Sequence, residues 1–587
     1  MKGTKRIAIG LILALSLAVF LGTLAYAADP PTLGTITVHP AIGENSWGQY
    51  PVGTSSYDYH LYRIFDATIG FDAEGKPTDA ISYTCTDAQK AIDGFDTYFT
   101  TSGTSVTGVT DAAKASDGGL SPAAVQWIKD HIDALGTKIE FLSSSSGNKP
   151  YYRYDYETQV GKFYNLPFGY YFLDSAVGSA VMINTFQPDA EIYNKNQTPT
   201  LEKEITKITE SGGGEGEKTP IPGMGNWTAS DSSLVQIGDT VEYTITVLAQ
   251  PTAESYILAD AMERSLTFLP NSVHVYAGKS EDNLQKISAG SDTYTIFTDD
   301  GPGFYWDNTD KQIKHIVNDE PISIYTDTNP YNNDDSISLP YSSYIDETGR
   351  HRVGAQFVII FSQAFLDTIT EPTYIAVTYE ATVNEYALNV EGYNYEPEEN
   401  AVVLNYGHSY SISDYAYVDT LRLLVYKYEG SGASSSSSSE GLNGVKFVLK
   451  REPDGKYFHQ DPSTLVVSWV DLEQATKLET STRTVYSYTG PVEMKGYITV
   501  HGLTAGTYTL IETDPLPGYN SAAPETFTMP TDNSYFWWQT QLNVVNKTGT
   551  LLPSTGGIGV TVYYVIGVSV LLGGAILLLK KKAVKES

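Results

Sequence analysis

The sequence predicts an all-β protein: tandem β-sandwich domains set between an N-terminal export signal and a C-terminal membrane-spanning helix. Three observations carry this. Short stretches alternate apolar and polar residues, as in Thr240-Val241-Glu242-Tyr243-Thr244-Ile245-Thr246-Val247. Gly, Pro, Asn and Asp punctuate them as turn signals. Tyrosine is abundant, 44 of 587 residues, within Thr-rich segments that suit a pleated, half-buried surface.

At the N-terminus, Lys2, Lys5 and Arg6 precede an apolar run from Ile7 to Leu24, and Ala25-Tyr26-Ala27 gives a small-x-small cleavage pattern. Residues 1–27 therefore read as a signal peptide, and the mature chain begins near Ala28. Cys85 is the only cysteine, so this exported chain has no internal disulfide. Exposure to shear and proteases then demands another staple, or a core that suffices alone. Lys and Arg number 37 against 69 Asp and Glu, a net charge of −32, which excludes nucleic acid as a partner.

Further strands are expected at Thr35–Val38, Ile375–Tyr379 and Leu421–Tyr428. One short helix interrupts the first region. Ser121 caps it, Pro122 suits its first turn, and Val125, Ile128, Ile132 and Leu135 form a single apolar stripe. Ser143–Gly147, Ser211–Glu217 and Ser431–Gly441 are Gly/Ser-rich and read as exposed loops. There is also an internal echo. Phe163-x-x-Leu166-x-x-Gly169-x-Tyr171-x-Leu173 matches Val500-x-x-Leu503-x-x-Gly506-x-Tyr508-x-Leu510, which implies two domains of related build. Glu512 of the late copy corresponds to Ser175 of the early one.

At the far end, Ile558 to Leu579 is long enough to cross a hydrocarbon core, and Lys580, Lys581 and Lys582 hold its end on the cytoplasmic side. Leu552-Pro553-Ser554-Thr555-Gly556 stands just before it. Motif, span and basic tail together resemble the sortase sorting signal of wall-anchored proteins. The resemblance implies that a sortase cysteine attacks the Thr555 carbonyl, releases Gly556 onward and passes Thr555 to an amine. Pro553, with its fixed φ, kinks the strand presented to the enzyme.

Leu503 to Tyr519 reads LTAGTYTLIETDPLPGY and resembles the E-box of CnaB-like domains, Ig-like modules that join a lysine to an asparagine through an isopeptide bond. The matching positions are Lys427 on a first strand and Asn546 on a last strand, with Glu512 as the acid. Such chemistry needs an apolar core, because burial favours both the neutral, nucleophilic amine and the protonated acid that polarises the carboxamide. Ammonia leaves once, so this is maturation and not turnover.

Pro199-Thr200-Leu201-Glu202-Lys203, the segment LADAMERSLTF around Asp260, and Asn400-Ala401-Val402-Val403-Leu404-Asn405-Tyr406 resemble the CnaA-like isopeptide domain of pilins. The resemblance implies Lys203 as nucleophile and Asp260 as acid. Asn400 shares strand parity with Leu404 and Tyr406 and is the chosen acceptor, with Asn405 as the runner-up. Some relatives carry an asparagine where this chain has His408. A long aromatic and acidic insertion around Tyr305–Asp335 separates Asp260 from Asn400.

Tyr193-Asn194-Lys195-Asn196 resembles the pilin motif Tyr-Pro-Lys-Asn, with Asn194 in place of proline. It implies that Lys195 receives Thr555 of another copy, a head-to-tail linkage that gives an open filament. In the first domain Ser175 holds the acid position and no lysine occurs between Ala28 and Tyr62, so no cross-link is expected there.

The expected organisation is thus residues 1–27 signal peptide, 28–196 CnaB-like with the pilin motif, 197–416 CnaA-like, 417–549 CnaB-like, and 550–587 sorting signal. It resembles a sortase-assembled backbone pilin of a Gram-positive cell wall. The implied partners are a polymerising and a housekeeping sortase, further copies of itself, minor pilins and peptidoglycan. The alternative is a monomeric wall-anchored adhesin, which shares every feature except use of Lys195. An enzyme is disfavoured: the nine histidines are dispersed without a metal-spaced pair, and Asn332–Asp335 lacks the calcium-loop pattern. No cofactor or metal is expected.

Overall fold

The computed structural model describes residues 33–548 and 558–583, except 40, 46–47, 53–58, 75–76, 115–119, 143–146, 156, 159, 176–179, 185–188, 194–197, 222–227, 252, 300–302, 308, 318–319, 327–338, 341–342, 346–350, 389–396, 408–409, 431–440, 488–489 and 531–538. The signal peptide, Asn194–Asn196 of the pilin-like motif with Lys195, His408 and Leu552–Gly556 therefore lie outside the described residues. The chain is mostly β, arranged as stacked sheets of Ig-like build. It divides into two compact units. One comprises Met1–Thr420 with Asp461–Ser468 and Gly502–Thr504, and the other comprises the remainder from Leu421 onward.

In the first unit, β1 (Leu33–His39) and β2 (Tyr59–Phe71) belong to different sheets. The alternation in β1 buries Ile36 and Val38 against Phe163, Leu166 and Tyr171. The expected helix forms, with Ser121 accepting a hydrogen bond from the Ala124 amide. It is not one continuous helix, however. α1 (Pro122–Asp130) ends at His131, and α2 (Ile132–Leu135) restarts there. The His131 ring bonds the Trp127 carbonyl and stacks on the Trp127 ring, 4.9 Å between centroids. Ile128, Ile132 and Leu135 nonetheless stay on the buried side. The early echo spans β3 (Val160–Pro167) and β4 (Gly169–Ser175), and β5 (Asp189–Tyr193) pairs parallel with β1.

The next region is a two-sheet sandwich. One sheet carries β6 (Thr200–Thr209) and β7 (Thr240–Ala249); the other carries β8 (Ile257–Met262) and β9 (Phe357–Phe361). β10 (Thr373–Val383) extends the first sheet, while β11 (Glu398–Tyr406) and β12 (Tyr410–Asp419) extend the second. Strict alternation in β7 sends Val241, Tyr243, Ile245 and Val247 into a core shared with Leu258, Phe357 and Leu404 of the facing sheet. β8 shows no alternation because both its faces are covered. Its outer residues Ile257 and Ala259 pack with Phe304, Ile313 and Ala355. Phe304 and Ile313 come from the insertion, whose described part is a three-stranded sheet of Phe304–Asp307, Gln312–Val317 and Glu320–Thr326.

In the second unit, β13 (Leu421–Glu429) and β16 (Gln539–Thr548) are neighbouring parallel strands of one sheet. The parallel pairing of β1 with β5 in the first unit is of the same kind. The facing sheet holds β14 (Lys446–Arg451) and β15 (Gly506–Asp514). The late echo again runs through a strand, a short turn and a second strand, Gly490–Leu503 then β15. The chain closes in α3 (Ile558–Ala583). Within it, Val562–Lys581 has a mean hydropathy of 2.3 and is wholly unburied. Its 20 residues span about 30 Å, the thickness of a hydrocarbon core.

Candidate cross-linking sites in the two cores

The middle site is built from four strands in two sheets. On β6 the pattern of Leu201, Lys203 and Ile205 turns all three inward, so a lysine occupies a core position and is 0 % exposed. β8 supplies Asp260 and its neighbour β11 supplies Asn400. Register sets Asp260 opposite Val402 and Met262 opposite Asn400, which leaves both polar side chains on the inner face. Both are fully buried. The Lys203 ammonium nitrogen contacts Asp260 Oδ2 and lies 2.7 Å from Asn400 Oδ1. Asp260 Oδ1 is buried and has no hydrogen-bond partner among the described residues.

Aromatic rings enclose the group. Lys203 Nζ lies 5.6 Å from the centroid of the Tyr243 ring and 5.4 Å from that of Tyr379. Tyr379 in turn meets Phe357 edge-on at 5.0 Å. Burial pushes the Lys203 pKa down against the opposing pull of Asp260, and pushes the Asp260 pKa up against the pull of Lys203. In this apolar enclosure the pair is driven from ammonium and carboxylate toward amine and acid.

Of the two asparagines weighed from the sequence, Asn400 is the one brought to Lys203. Asn405 has the opposite strand parity, and its side-chain amide donates to the Ile257 carbonyl at 3.4 Å. The sequence reading missed Tyr379. Its hydroxyl donates to Asp260 Oδ2 at 3.0 Å and accepts from Asn400 Nδ2 at 2.9 Å. No local motif marks it; it sits in an ordinary strand pattern, and only the facing sheet gives it neighbours.

The late site uses three strands. Lys427 on β13 and Asn546 on β16 share a face, since Lys427 is in register with Val544, two residues before Asn546. Lys427 is 0 % and Asn546 1 % exposed. Glu512 reaches across from β15, where it pairs with Phe447. Lys427 Nζ donates to Glu512 Oε2 at 2.7 Å and lies 5.5 Å from the Phe447 ring centroid. Burial lowers the Lys427 pKa, opposed by the hydrogen bond and charge of Glu512. The Ala522 amide also donates to Glu512 Oε2, at 2.9 Å. Both polar atoms of the Asn546 side chain, and Glu512 Oε1, are buried without a partner among the described residues, a costly arrangement for groups kept as they are. Gly496, at φ +82°, brings its backbone against the Lys427 carbonyl, where a Cβ would lie 2.3 Å from that oxygen.

Residues 434–540 match the SpaA prealbumin-like fold domain, a span that contains Glu512 and is flanked by Lys427 and Asn546. Residues 544–586 match the LPXTG cell wall anchor motif. No curated protein matches the chain significantly. Among solved structures, the group B streptococcus pilus 2b backbone protein is similar at 20 % identity, with 55 % of this chain and 97 % of that chain covered and a TM-score of 0.35. Full-length RrgB pilus protein from Streptococcus pneumoniae gives 14 %, with 90 % and 100 % covered, at 0.34. The major pilin SpaD from Corynebacterium diphtheriae gives 12 %, with 89 % and 99 % covered, at 0.36. The chain is a cell-wall-anchored surface protein in which a prealbumin-like SpaA domain immediately precedes an LPXTG anchor.

Proposed function

We propose that this chain is the structural backbone subunit of a covalently polymerised cell-surface pilus. Its working modules are residues 28–196, 197–416 and 417–549. A sortase joins Thr555 of one copy to Lys195 of the next, and amide bonds Lys203–Asn400 and Lys427–Asn546 stiffen each copy. The observation that carries the reading is the meeting of Lys203, Asp260 and Asn400 in a dry core, with nucleophile and carboxamide oxygen 2.7 Å apart. A buried lysine and acid beside an asparagine are a poor way to stabilise a core; they are a good way to make an amide.

The topology gives the bond a mechanical purpose. β13 and β16 are parallel, so tension on the chain ends shears them past one another. With Lys427 bonded to Asn546, load entering at Leu421 crosses to β16 after seven residues and leaves at Thr548. The rest of the module is bypassed. In the middle module the link joins the two sheets, and load passes from β6 to β11 in the same way.

The test is a pair of measurements on one set of strains. Cell-wall extracts should show a ladder of detergent-resistant multimers that Lys195→Ala abolishes. The intact mass of the secreted chain should fall short by two molecules of ammonia, and Lys195→Ala should leave that deficit unchanged. Monomers alone on the wild-type surface would favour the monomeric adhesin instead.

A further inference from the structure

We propose that Tyr379 is a catalytic residue of the middle cross-linking reaction, the proton relay between Asp260 and the departing amide nitrogen of Asn400. The inference rests on the reading that Lys203 and Asn400 become bonded, and adds to it a role for a fourth side chain. The geometry is specific. The Tyr379 hydroxyl bridges Asp260 Oδ2, 3.0 Å away, and Asn400 Nδ2, 2.9 Å away. Asp260 Oδ2 is also the atom that Lys203 Nζ contacts. An unbroken path of hydrogen bonds thus runs from nucleophile to acid to phenol to leaving group, entirely within the buried core.

The reaction needs such a path. Lys203 Nζ, as a neutral amine, attacks Asn400 Cγ; a C–N bond forms and negative charge moves to Oδ1. The amide nitrogen Nδ2 cannot leave as an anion in an apolar core, so it must gain a proton. A rotation of the Tyr379 hydroxyl turns its O–H toward Nδ2. Tyr379 gives that proton up and is resupplied by the Asp260 acid, which then takes the surplus proton from Nζ. The carbonyl re-forms, the Cγ–Nδ2 bond breaks and ammonia departs. Acid and phenol end as they began. One proton has moved from Nζ to Nδ2, and no outside reactant is used. Burial and the adjoining acid hold the Tyr379 pKa well above the ordinary tyrosine value, which keeps the phenol protonated and suits it to relay and not to act as a base.

The experiment uses the chain from residue 28 to 551, recovered unfolded, refolded, and quenched at intervals for mass measurement. Fragmentation locates the Lys203–Asn400 and Lys427–Asn546 peptides. Tyr379→Phe keeps the ring that stacks on Tyr243 at 5.4 Å. It should slow the middle link by about 100-fold or more, the usual worth of a positioned proton-transfer group, while the late link forms at the wild-type rate. A middle link that forms equally fast in both chains overturns the relay. Absence of that link from the unsubstituted chain overturns the parent reading as well. Should the phenylalanine variant fail to fold, a chain carrying fluorotyrosine keeps the ring and makes the hydroxyl more acidic. The relay then requires a changed rate for the middle link, and an unchanged one overturns it.

Discussion

Asn400→Ala should remove the middle cross-link and with it a large part of that module's stability. Lys203 and Asn400 are 197 residues apart in sequence. On the chain-entropy model, closing a loop of that length restricts the unfolded chain by about 5 kcal/mol. For a cooperative unit of roughly 200 residues, each 1 kcal/mol moves the melting temperature by about 2–4 °C, so the expected fall is about 10–20 °C. The substitution adds a small cavity, while Lys203 and Asp260 keep each other. The assay is calorimetry on the chain from residue 28 to 551, with intact mass read on the same sample. Asn405→Ala is the control, because Asn405 is partnered with the Ile257 carbonyl; it should keep both ammonia losses and melt within a few degrees of wild type. The reasoning fails if Asn400→Ala still loses two ammonias, or if it loses one and melts where the wild type does. The first outcome would move the acceptor elsewhere. The second would mean that the link does not restrain the unfolded chain as the model requires.

Two further outcomes follow from the same geometry. Glu512→Gln should leave Lys427 and Asn546 unjoined, so intact mass shows a single ammonia loss while the middle link persists. Asp260→Ala should prevent the middle link and make stability rise with pH. The buried Lys203 then stays neutral in the folded state while the unfolded chain binds a proton below about 10.4. The unfolded state holds more protons between the lowered folded pKa and that value, so stability is lost as pH falls through this window, by at most about 1.4 kcal/mol per pH unit. Urea melts at neutral and alkaline pH check this, and a flat or inverted profile counts against a buried neutral lysine.

By itself the sequence determined the C-terminal anchor and the all-β class, and it named most of the candidate residues. Anchoring is written in contiguous residues, motif then span then basic tail. Strands such as β7 declare themselves through period-two burial, because one face meets a core and the other meets water. Lys203, Asp260, Lys427, Glu512 and Asn546 stand out as candidates because each lies in a local pattern, Glu512 just after the late echo and Asn546 on the last strand before the sorting signal. Only tertiary structure decided the rest. The choice of Asn400 over Asn405 depends on which face of β11 meets the opposing sheet. Tyr379 became part of the site because the β7–β10 pairing and the packing of two sheets set its hydroxyl between Asp260 and Asn400, residues 119 and 21 positions away. The break at His131, whose ring bonds the Trp127 carbonyl and stacks on the Trp127 ring, is invisible to a stripe that continues unperturbed on either side. In β8 the period-two signal is absent, since a segment more than forty residues further along the chain covers the outer face. Local periodicity reports what one strand shows to water; which side chains meet across a core is fixed by strand register and sheet packing, and those are properties of the whole fold.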